Sequence, residues 1–139
     1  RAVVGPIAAG AVTTGPALAA RRDVQHRTIA LLQAYDASIG VSRAHRAAAE
    51  RMWPAVVATQ RLAYRILSVC WSLDEAGPAA TERARALFGA VEPEKVGKAL
   101  SDLGAAIEGD AKPAPSGPLP DFLRAEVEAL RDCFVYGRR

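Results

Sequence analysis

At 139 residues the chain is long enough to bury an apolar core without disulfides or metals, and short enough for one domain. Ala supplies 30 residues and Arg outnumbers Lys 15 to 3, so composition favours helix before any pattern is read. Net charge is +3 but divided: residues 1–70 set nine arginines against Asp23, Asp36 and Glu50, and residues 71–139 are net acidic; two cysteines without a CxxC pair exclude a zinc site.

The stretch Ala2–Ala20 carries no charge. Gly5-Pro6, Gly10 and Gly15-Pro16 interrupt it, and it lacks the continuous apolar block of a secretory signal. Residues 1–15 read as an Ala/Gly-rich lead-in. Two accounts stay open: a flexible or partly helical linker, or the trailing end of a membrane helix followed by Arg21 and Arg22 on its cytoplasmic side. The spacing predicts a first long helix over Pro16–Ser38, capped by Thr14 or Gly15 and ended by Gly40. Its stripe is Val24, Thr28, Leu31, Leu32, Tyr35 and Ile39. Ser42 caps the next helix, in which Pro54 is expected to cause a break or a kink. From Pro54 to Ala76 apolar residues cover most of the circumference, which predicts a central helix with neighbours on several flanks. Arg61, Arg65, Ser68 and Ser72 form its narrow polar strip.

Gly77-Pro78 ends that helix. Ala80, Ala84, Leu87, Phe88 and Val91 give the next stripe, and Val96, Leu100, Leu103 and Ile107 the one after. Gly109–Pro120 holds four prolines and reads as a Pro-rich loop or linker. The final helix, 121–136, has Leu123, Val127, Leu130 and Phe134 on one side. Gly137-Arg138-Arg139 forms a basic end. No segment alternates with period two, so the expectation is all-α: a single helical domain, a bundle of five or six helices around a long central one. Cys70 and Cys133 sit among apolar neighbours and are expected to be buried free thiols; the alternative, a disulfide, needs close approach of two distant segments.

Trp53, Gln60, Tyr64, Leu67 and Trp71 share a face of the central helix. Core packing is the plainer account of that line. The chemical alternative is a ligand-lining stripe of Tyr64 and Trp71, with Arg61 or Arg65 holding the carboxylate of a small aromatic acid. Arg61 and Arg65 repel mildly at i, i+4, so an acidic partner from another helix or chain is expected. His26 and His45 have no ligand partner at metal spacing and read as surface residues. No GxSxG, GxGxxG or GxxxxGK[ST] motif is present, so no catalytic residue, cofactor or metal is expected. The basic segment Arg43–Arg51 lacks a helix-turn-helix context, so no specific nucleic-acid binding is expected.

The uncharged Ala2–Ala20, the adjacent Arg21-Arg22 and the Arg-spaced helix Gln60–Gly77 together resemble the region after a membrane block in fusaric acid resistance-type transporters, the aromatic acid exporters. The likeness covers roughly residues 1–80 and is one of texture, so no functional residue carries across. It implies a helical domain on the cytoplasmic face of the cell membrane, with an assembly, gating or substrate-access role. Its implied partners are the membrane-embedded part of the same protein, a second copy of the chain, or a small aromatic acid. The Ala- and Arg-rich composition also fits a GC-rich genome such as an actinobacterium's. The alternative is a ligand-binding or protein-interaction domain, such as the sensor half of a regulator.

Overall fold

The computed structural model describes residues 4–136; Arg1–Val3 of the lead-in and the basic end Gly137-Arg138-Arg139 lie outside the described residues. Six α-helices account for most of the described residues, with no strand among them. They are α1 (Val4–Ala9), α2 (Gly15–Val41), α3 (Arg43–Ala76), α4 (Ala80–Phe88), α5 (Pro93–Glu108) and α6 (Asp121–Tyr136). The all-α bundle expected from periodicity is the fold observed.

The helix boundaries follow from local chemistry. The Thr14 hydroxyl accepts from the Ala17 amide and Pro16 occupies the first turn, so α2 starts where the cap signals place it. Its end differs from expectation. Gly40 stays inside the helix, and Ser42 alone, in extended conformation, separates α2 from α3. The Ser42 hydroxyl accepts from the His45 amide at 3.2 Å, capping α3 with a contribution of about 1 kcal/mol. Pro54 does not break α3, which is continuous over 34 residues. Gly77, at φ +54°, closes α3 in a backbone region that only glycine enters freely, and a short 3-10 turn over Gly77–Ala79 leads into α4.

α3 is the axis of the molecule. α2 and α6 both pack along it, and α4 folds back on its C-terminal end. Val69, Cys70 and Leu73 of α3 meet Ala80, Ala84 and Phe88 of α4, Val96 and Leu103 of α5, and Leu123, Val127 and Leu130 of α6 in one core. Phe88 and Phe122 pack edge to face with centroids 5.7 Å apart.

Over its described part the lead-in is partly helical and packed into the body. α1 is six residues long, and Val4, Ile7 and Val12 are core residues. α1 packs on α4 and α5, and the Thr81 hydroxyl donates to the Ala9 carbonyl. No helix among the described residues is long and apolar enough to cross a membrane. The Pro-rich loop is likewise tied down: Pro113, Leu119 and Pro120 are buried, and Arg124 donates to the Leu119 carbonyl at 2.9 Å.

The two ends of α3 differ. Its C-terminal half packs against α1, α4 and α6 as well as α2, whereas its first turns face α2. α2 buries only Ala17 and touches little besides α3. The last turns of α2 and the first of α3 therefore form an antiparallel two-helix arm projecting from the body.

Candidate functional site

The central helix sends its aromatic residues outward. Trp53 is 45% exposed, Tyr64 71% and Trp71 66%. Core packing, the plainer expectation for that line, fails for its aromatic residues: α2 covers the face only in part, with Gln60 donating to the Thr28 carbonyl and Gln60 and Leu67 half-buried, while Trp53, Tyr64 and Trp71 stay exposed. Tyr64 and Trp71, seven residues apart, flank a shallow depression of about 480 Å³ that Leu67, Ser68, Ser72, Gln25 and Glu75 complete. The Trp71 indole N–H donates to Glu75, one turn along the same helix, at 3.1 Å, and the ring stays open to solvent.

The four residues singled out from sequence do not converge. Arg61 and Arg65 lie on the flank of α3 that faces α6. Arg65 pairs with Glu126 of α6 at 3.4 Å, the acidic partner from another helix that like-charge spacing calls for. Arg61 borders a groove with Pro54, Val57, Ala129 and Cys133. The charged group that lines the depression beside Tyr64 and Trp71 is Glu75, a carboxylate. A carboxylate ligand there would meet like charge, so the aromatic-acid clamp has lost its cation.

Two further features escaped sequence reasoning. Arg21 of α2 pairs with Asp74 of α3 at 2.7 Å and also reaches the Val12 carbonyl, pinning lead-in, α2 and α3 together. The second Asp74 oxygen is buried without a partner. Cys70, fully buried, lies close enough to this pair to feel both charges. Burial is the larger influence and pushes the thiol up from its ordinary 9.0, so it stays protonated and unreactive at neutral pH. Both cysteines are free, as expected, although Cys133 is only half-buried. His26 and His45 are exposed, and the His45 Nδ1 lies 2.6 Å from the Ser42 hydroxyl within the cap.

The arm carries the second notable surface. Tyr35 and Trp53 pack across it with centroids 4.8 Å apart. Leu31, Tyr35, Ala48, Ala49, Met52 and Val56 line an open apolar groove between its helices. Of nine large apolar residues exposed among the described residues, all but Tyr136 lie on α2 and α3: Leu18, Ile29, Leu32, Val41, Met52, Trp53, Tyr64 and Trp71. Single exposed apolar residues are ordinary; here they concentrate on two adjacent helices. No protein-family model, curated protein or solved structure matches the chain.

Proposed function

We propose that the chain is a helical docking domain whose working surface is the α2/α3 hairpin, and that its partner is the membrane-embedded part of an exporter of aromatic or other small organic acids. The observation that carries the docking role is the placement of Trp53, Tyr64, Trp71, Met52, Ile29, Leu32 and Val41 on the solvent side of α2 and α3. Aromatic residues and Met are enriched at the cores of protein interfaces, where they anchor binding. The open depressions along the hairpin favour a large flat partner over an enclosed small molecule. The exporter as partner is supported by the resemblance of the Arg-spaced α3 to the helical regions of fusaric acid resistance-type transporters. The domain's contribution is then assembly or gating, with chemistry left to the membrane part.

The test is site-specific photo-crosslinking in cells of the native source. A benzophenone side chain replaces Trp53, Tyr64 or Trp71 in turn, with exposed Gln33 as control. Crosslinks from the aromatic positions to peptides of a multi-span membrane protein, absent from Gln33, are the expected result. Crosslinks only to soluble proteins would remove the exporter and leave the docking role. Absence of any product at all three aromatic positions would remove both.

A further inference from the structure

The chain uses lysine three times against fifteen arginines, and all three lysines line one groove. Lys95 and Lys98 stand one turn apart on α5, and Lys112 opens the Pro-rich loop that runs beside it. The groove holds about 520 Å³, within the range of small-molecule sites. Its floor is apolar: Leu103 is buried, and so is Pro113 on the loop side. Asp102 is the single acidic residue in its lining.

We infer that this groove binds a small organic dianion, a dicarboxylate or a phosphate monoester, through Lys95, Lys98 and Lys112, with the ligand's carbon skeleton over Leu103 and Pro113. This inference is independent of the docking role of the hairpin, which lies on other helices. The lining holds three cations against one carboxylate, although residues 71–139 as a whole are acidic. A dianion that displaces Glu92 from Lys95 and Asp102 from Lys98 meets all three ammonium groups. Lys95 now pairs with Glu92, and Lys98 with Asp102. Both are exposed local pairs, one inside α5 and one to the residue capping its start, which contribute little and yield readily to a better-placed anion. The loop wall is preorganised. Pro113, Pro115 and Pro118 fix their own backbone angles, and burial of Pro113, Leu119 and Pro120 anchors both ends. A ligand entering there orders little that is not already ordered. In a chain otherwise committed to arginine, lysine suits a compact tetrahedral or carboxylate charge reached by a flexible stem.

The three lysine amines of this chain all line the groove, so acylation resolved at the lysines reports on it. The full chain is acylated with limiting N-hydroxysuccinimide acetate at constant ionic strength, and labelling of each lysine is followed by mass spectrometry. Nα-acetyl-lysine in the same tube corrects for reagent loss. Phenyl phosphate or succinate at ~10 mM, about ten times a millimolar Kd, should slow labelling of the three lysines by up to about tenfold, while acetate at equal ionic strength does not. Protection by phenyl phosphate alone assigns a phosphate monoester, by succinate alone a dicarboxylate, and by both the shared dianion chemistry. In the Lys98→Ala/Lys112→Ala variant, protection of Lys95 should disappear; both replaced side chains are solvent-exposed, and circular dichroism confirms the fold. No protection by either dianion, protection equalled by acetate, or protection of Lys95 that survives the double substitution would overturn the inference.

Discussion

A methyl group at Gly10 would sit 2.6 Å from the Thr81 backbone nitrogen and 2.7 Å from the Ala80 carbonyl carbon. Neither atom is free to move, because both belong to the first turn of α4. Gly10 also has φ +69°, which disfavours any side chain. Gly10→Ala is therefore expected to destabilise the fold by about 2–3 kcal/mol, read as a lower midpoint in urea melts. An unchanged midpoint would mean that α1 does not pack on α4. At Cys70 the expectation concerns pH. Burial raises the thiol above its ordinary 9.0, with Arg21 pulling it down less and Asp74 adding to the rise. The unfolded chain thus loses the proton first as pH climbs. The thiol's contribution is fully present below about pH 9 and is lost as pH rises through the folded value. Urea midpoints of the parent should fall more steeply between pH 8.5 and ~10 than those of Cys70→Ala, both in a Cys133→Ala background. Parallel slopes would place the thiol in a water-like setting.

At the scale of elements, Pro54 is the clearest lever. It sits in the interior of α3, has no amide hydrogen to donate to the Glu50 carbonyl, and is exposed. Pro54→Ala is expected to stabilise the isolated domain by about 1–3 kcal/mol in thermal melts. A loss of stability instead would show that Pro54 sets a bend that α6 packing needs. Legibility varied between elements for physical reasons. α4, α5 and α6 are short and amphipathic with one covered side each, so their stripes name the buried residues Ala84, Val96 and Val127 correctly. Periodicity places residues on a common face but carries no information about whether that face is covered. Hence Trp53, Tyr64 and Trp71 could be grouped but not assigned to solvent. In α2 the stripe does mark the side that meets α3: Val24, Thr28, Leu31, Tyr35 and Ile39 are half-buried there and only Leu32 is exposed, but a single neighbour leaves none of them fully buried. The lead-in failed for another reason. Val4, Ile7 and Val12 are too few and too broken by glycine to form a pattern, and they enter the core by tertiary contact with α4 and α5. The lysine groove depends on a loop meeting a helix and leaves no local signal beyond the scarcity of lysine.

Across the whole molecule, cohesion and exposed apolar surface are inversely placed. The body holds nearly the entire core, and the arm between Ile29 and Trp53 buries only Ala49 while exposing Ile29, Leu32, Val41, Met52 and Trp53. α2 spans roughly 40 Å and α3 roughly 50 Å at 1.5 Å per residue, so the arm extends well beyond the reach of α4 and α5. Two helices packed only on each other cohere weakly, because most helical stability comes from burial of an apolar face. The arm should then open locally without unfolding the body, drawing on the low-stability end of the molecule as contact surfaces commonly do. Hydrogen exchange followed by mass spectrometry is expected to show amides of residues 29–53 exchanging about 100-fold faster than amides of α3 residues 66–76. Docking of a partner on the hairpin would remove most of that difference, since the partner supplies the missing packing, whereas occupation of the lysine groove on α5 would leave it unchanged. Uniform protection along α3 in the isolated chain would mean that the arm is self-sufficient. Its exposed aromatic residues would then have to be justified by something other than a partner that completes the bundle.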